Sequence, residues 1–171
     1  MTIRNTVAPC VPPRRAVPGR RQGGVTAVEM ALVAPVLLLL LIGTLEMSLV
    51  YFASLSMQFA VREAARYAVT GQVNDDPNTA NQQRYLAVLQ KLQDSSAGLY
   101  SKVSPVIVVN NTTYSTSASY NANMFGKPGD IVVLQVLCTW KLATPVLNLI
   151  FPGGVYKFTV GATMQNEQYG S

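Results

Sequence analysis

Val25–Leu45 reads VTAVEMALVAPVLLLLLIGTL, and the architecture follows from it. The run is 21 residues long, enough for a helix to cross a hydrocarbon core of ~30 Å. Glu29 is its only charge. A carboxylate inside a span costs ~3 kcal/mol or more at mid-depth, so it marks a function with a specific partner. A free amine is the candidate partner. Cleavage between Gly24 and Val25 creates a cation four residues before Glu29, which a neighbouring copy's carboxylate can neutralise inside an assembly. A carboxyl near a helix start also favours the positive end of the helix dipole.

Toward the N-terminus, Arg4, Arg14, Arg15, Arg20 and Arg21 are all the charges before Glu29, so five of the 13 basic residues and none of the eight acidic ones lie there. Removing them leaves eight basic against eight acidic side chains, and the excess of positive charge belongs to this leader. Arginines spread through a Pro/Gly-rich stretch just ahead of an apolar span set topology rather than grip nucleic acid. Residues 1–24 are therefore expected in the cytoplasm, without fixed structure, and the rest beyond the span on the opposite face. A cleaved secretory signal is the competing explanation, but its apolar core is usually ~7–15 residues and ends in an A-x-A-like pattern. Here the apolar run is longer, and Ala53-Ser54-Leu55-Ser56 lies well beyond its end.

Toward the C-terminus the helical pattern continues. Only Pro35 and Gly43 interrupt it before Gly71, a good stop. About 46 residues at ~1.5 Å each make a rod of ~70 Å, more than twice a bilayer core. Leu49, Phe52, Leu55, Phe59, Ala60, Ala64 and Tyr67 recur at spacings of three and four, predicting the stripe that this outer half buries. Glu46, just past the span, reads as a solvated flank. A turn over 72–78 precedes a shorter helix from about Thr79 to Ser95, with Tyr85, Leu86, Val88, Leu89 and Leu92 on its buried face. Lys102–Asn110 reads as a strand that Pro105 pushes toward an edge. Residues 111–123 are a polar strand or a hairpin loop, and Gly126–Asp130 is a turn. Ile131–Leu142 is apolar on both faces, a central strand covered by helix on one side. Val155–Met164 is the last strand. The expected fold is α+β: a long N-terminal helix packed on a small antiparallel sheet of three or four strands, with a second short helix. The organisation is a leader (1–24), a long helix (25–71, spanning the membrane at 25–45) and a head (72–171).

The chemistry of catalysis is missing. With 171 residues, 49% of them hydrophobic and 12% charged, the chain is too apolar for disorder and too short for more than one modest domain beside the span. It has no histidine, which removes imidazole metal sites and His-based triads. Asp75-Asp76 is the only adjacent acidic pair, and an Asn/Asp/Pro turn accounts for it. Gly23-Gly24 and Gly153-Gly154 lack phosphate-loop spacing. No enzyme, cofactor or metal is expected. Cys138 is the one cysteine beyond the leader and alternates with apolar residues as a small core side chain. The Ser/Thr/Tyr run over 112–120 reads as an exposed loop.

A short basic leader, a small residue at the cut, glutamate as fifth mature residue and a long apolar helix together resemble the prepilin pattern. More narrowly, RRQGGVTAVEMALVAPVLLLLLIGTLEMSLVYFASLSMQFAVREAARYAVTGQ resembles the N-terminal half of the TadE-like pseudopilins of tight-adherence (Flp, type IVb-like) pilus systems. GDIVVLQVLCTW and the closing GATMQNE are similar to that family too. The resemblance implies a minor pilin at the bacterial inner membrane with its head in the periplasm. It implies a prepilin peptidase, other pilin-like subunits, the inner-membrane assembly platform and the lipid bilayer as partners, and no nucleic acid. It implies that Arg62, Glu63 and Arg66, in the run AVREAARYA, help dock the head or a partner rod. An unprocessed membrane-anchored binding or adhesion domain is the alternative from a different class.

Overall fold

A computed structural model describes residues 23–145, 147 and 150–168. The expected leader falls outside them except for Gly23 and Gly24. The chain divides into two compact units, Met1–Leu38 and Leu39–Ser171, and helix α1 (Gly23–Val69) supplies residues to both. It contains Pro35 and passes the length and apolarity test for crossing a membrane. Gly71 ends the helical path as expected, at φ +67 with its N–H on the Ala68 carbonyl at 3.2 Å, a left-handed conformation that glycine adopts without strain.

The first unit, where described, is helix alone. Val28, Met30, Leu32, Val33, Val36, Leu37 and Leu38 are all exposed, which for a soluble protein is costly and for a membrane span is required.

The second unit contains the outer part of α1, helix α2 (Arg84–Asp94) and strands β1 (Val106–Val109), β2 (Thr112–Tyr114), β3 (Ile131–Lys141) and β4 (Val155–Gln165). The strands form one antiparallel sheet in the order β2-β1-β3-β4. Its backbone is the β3–β4 ladder, eleven pairs from Ile131↔Gln165 to Lys141↔Val155. Alternation sends Val132, Leu134, Val136 and Cys138 inward, where they join Ile107, Val109, Val160 and Met164. Ile131 and Leu137 stay exposed on the other face, so β3 is central and covered on one side.

Two elements depart from the sequence expectation, and a third decides between the two forms expected of it. β1 is not an edge strand: Pro105 lies ahead of the ladder, where its missing N–H deprives no neighbour, and β1 sits between β2 and β3. Residues 111–123 open as strand and continue as loop. Asn110 and Asn111 take φ +46 and +64, the two-residue hairpin turn that suits the strand twist, and Asn110 Oδ1 accepts the Val133 N–H at 2.8 Å. Finally, α2 starts at Arg84 rather than near Thr79. The reason is side-chain competition for backbone donors. Asp76 accepts from the N–H groups of Asn78 and Gln83, and Asn78 Oδ1 from those of Ala80 and Asn81, so the chain turns instead of coiling. Ala87, Val88, Leu89 and Leu92 form the buried face of α2, while Tyr85 and Leu86 are only partly covered.

The largest correction concerns α1. Its buried positions are Glu46, Val50, Ala53, Met57, Ala60, Val61, Ala64, Ala65 and Ala68. Leu49, Phe52, Leu55 and Phe59, expected inside, are 47–62% exposed. Ala60 and Ala64 of the expected stripe are buried and Tyr67 packs on the core, so the spacing placed the buried side correctly near the end of α1 and wrongly between Leu49 and Phe59. The alanines share one buried cluster with Met57 and Val61 of the same helix and with Phe125, Leu92, Ile107 and Leu134 from the other elements, which supply bulk that alanine lacks.

Candidate functional site

Gly24 is exposed in the first turn of α1, with no atom near the place a side chain would occupy. Residues 25 and 29 are one helical step of four apart, so a new amine at Val25 and the exposed Glu29 carboxylate share a face.

Arg62, Glu63 and Arg66 lie elsewhere, on the outer part of α1. Arg62 and Arg66 are exposed and Glu63 half-buried, one step round from the alanines that meet the head. They border two shallow clefts. One lies between Glu63, Arg66, Tyr67, Asp75 and Lys91, and the other sets Arg62 and Arg66 against Ala162 and Met164 of β4. In the first cleft Lys91 Nζ is 3.6 Å from Asp75 Oδ2 and 5.8 Å from the Tyr67 ring centre, and Tyr67 Oη accepts the Asp75 N–H at 2.9 Å. The helix therefore meets the head through small apolar side chains, with the three charges around the rim.

Two polar nodes hold that contact, and neither was legible beforehand. At the C-terminal end of α1, Arg84 donates to the Ala68 carbonyl at 2.6 Å, the Gly126 carbonyl at 3.0 Å and Asn166 Oδ1 at 2.8 Å. The Asn166 amide, only 3% exposed, donates in turn to the carbonyls of Phe125 and Lys127 at 2.8 and 2.9 Å. A cation at the carbonyl end of a helix is favoured by the dipole as well as by the hydrogen bonds. At the other end Glu46 is not a solvated flank. It is 6% exposed, and its carboxylate accepts from the N–H groups of Ala143 and Thr144 and from the Thr144 hydroxyl. The residues that make these nodes are separated by 82 and 98 positions, and nothing local announces such partners.

Cys138 is 1% exposed, and burial pushes its thiol from 9.0 up to about 12. Burial, with Tyr120 beside it, also raises Tyr100 to about 12. A thiol held neutral is neither a nucleophile nor a ready metal ligand. Among the described residues no group of three or more His, Cys, Asp or Glu side chains could hold a metal.

Comparison with known proteins bears on the helix. No curated protein and no solved structure matches the chain. The family model described as TadE-like protein matches residues 24–66, which includes Gly24, Glu29, Arg62, Glu63 and Arg66 and none of the sheet. From the residue ahead of the expected cut to the last of the rim charges, the chain carries a TadE-like segment.

Proposed function

We propose that this chain is a minor, pilin-like subunit of a tight-adherence pilus, made with a cytoplasmic leader that an inner-membrane prepilin peptidase removes between Gly24 and Val25. The apolar part of α1 then stays in the membrane, with Glu29 opposite the new amine of a neighbouring subunit, and the head faces the periplasm. The role is structural and not enzymatic: rods associate laterally and heads choose among pilin-like partners and the assembly platform. The observation that carries this is the TadE-like match, which begins at Gly24 itself. Support also comes from the head, a folded unit with one helix and a four-stranded sheet attached to the rod. A fibre's repeating subunit needs little beyond the helix, so such a head suits a minor component.

N-terminal sequencing of protein extracted from membranes tests it. A start at Val25 is expected, and Gly24→Leu should leave the longer species on a gel. Equal sizes for parent and Gly24→Leu protein, both still carrying the arginine-rich extension, overturn the processing step and favour an unprocessed anchored binding domain. Glu29→Gln should leave processing intact and stop incorporation into the assembly. Normal assembly by that variant removes the role given to the carboxylate.

A further inference from the structure

The connection between β3 and β4, Leu142–Gly154, has no charged residue. Its large side chains are not all taken into the head: Ile150 is 68% exposed. Its place in the unit is fixed by Glu46, whose carboxylate accepts from Ala143 and Thr144. Glu46 is the first residue after the apolar run, and immediately before it Leu39, Leu40, Leu41, Ile42 and Leu45 are 45–62% exposed. The connection is thus tied to the helix at the level where its bare, lipid-compatible surface ends.

The flanks match that level. Lys141 and Lys157 bracket the connection on the outer face of the sheet, both exposed and diagonal to one another in the register. Trp140 pairs with Tyr156 across the ladder, and Tyr156 has the rings of Phe151 and Phe158 at 5.8 and 6.1 Å. Half-buried aromatic rings, lysines with long apolar stems and an uncharged apolar loop are the set that settles at the boundary between headgroups and acyl chains.

We propose that the described residues of the β3–β4 connection around Ile150 rest in the surface of the bilayer that holds α1, with Ile150 among the upper acyl chains, Trp140 and Tyr156 at the headgroup boundary, and Lys141 and Lys157 toward lipid phosphates. This rests on the membrane placement of Val25–Leu45 given above. It means that the head is held at the membrane by a second contact besides the rod. A lipid surface is favoured over a protein partner because Glu46, which holds the start of the connection at Ala143 and Thr144, directly follows the exposed apolar residues Leu39–Ile42 and Leu45.

Trp140 is the only tryptophan of the chain, so its emission reports on this contact alone. The full chain is reconstituted at less than one copy per vesicle, in mixed zwitterionic and anionic phospholipid with or without bromine on the acyl chains. Bromination should remove about half of the emission, and Ile150→Asp should restore most of it, because a charge holds the loop out of the boundary. Unquenched emission from protein that resists carbonate extraction overturns this proposal and leaves the membrane span standing. Protein that carbonate extracts overturns both. Quenching that Ile150→Asp does not relieve also overturns the role of the loop. Should that variant misfold by circular dichroism, a photo-crosslinking residue at position 150 decides: a lipid adduct in native membranes supports the contact, and a protein adduct or none overturns it.

Discussion

The two sides of the outer half of α1 differ in a way that reverses the usual expectation. The side against the head carries Ala53, Ala60, Ala64, Ala65 and Ala68, none more than 5% exposed, while the open side carries Leu49, Phe52, Leu55 and Phe59. Ranking side chains by apolarity puts the second set inside. The structure instead puts mostly small side chains inside, with Met57, Val61 and Val50 the larger ones among them, and further bulk comes from Phe125, Leu92, Ile107 and Leu134 of the other elements. The open side is then a large apolar surface on a folded unit, of the kind that marks an interaction site.

Substitutions on the two sides can break that contrast or sharpen it. Ala64→Phe, placing a ring where no space is left, should cost roughly 3 kcal/mol, read as an earlier guanidinium midpoint in Trp140 emission from the full chain in detergent. An unchanged midpoint means that the alanines do not set the spacing. Glu46→Ala, at the membrane end of the same docked side, deprives the N–H groups of exposed Ala143 and half-buried Thr144 of that acceptor and should cost roughly 1 kcal/mol.

At neutral pH no loss is expected from titration, and the effect of pH appears only in alkali. The folded chain keeps the Cys138 proton up to about 12, whereas the unfolded chain loses it near 9.0. Stability is therefore full below pH 9 and declines toward 12, by no more than ~1.4 kcal/mol per pH unit from this group. Tyr100, raised from 10.0 to about 12, adds to the decline above pH 10. Cys138→Ala should shift the onset from near pH 9 to near pH 10 in unfolding curves, whatever it does to stability at neutral pH. The smallest change belongs to the open side. Phe59→Ser should leave the isolated protein within about 0.5 kcal/mol of the parent while reducing its recovery in co-purified pilin assemblies. A large loss of stability there makes the open side part of the fold after all.

The sequence made some features plain and hid others for physical reasons. The long helix, its glycine stop and β3 were readable because each is announced by residues within one turn or one alternation of itself. The start of α2 was obscured because Asp76 and Asn78 divert backbone donors that a periodicity count assumes are free. The hairpin at Asn110–Asn111 was present as a pair of residues that tolerate left-handed backbone, within a polar run that looked like loop. Gly24, Glu29, Arg62, Glu63 and Arg66 were visible as a pattern along one helix, and they fall inside the TadE-like match. The roles of Arg84, Asn166 and Glu46 were invisible, since each depends on partners that the fold brings from far along the chain.

The Arg84–Asn166 node has a consequence for the order of folding. Asn166 and Glu167, which donates its N–H to the Val69 carbonyl at 3.1 Å, follow directly on β4, and β4 supplies half of the central ladder. The clasp on the end of the rod and the second neighbour of β3 therefore arrive with the same stretch, residues 155–167. Closing the head around α1 has to wait for contacts made across most of the chain's length, which places it among the slower, non-local steps.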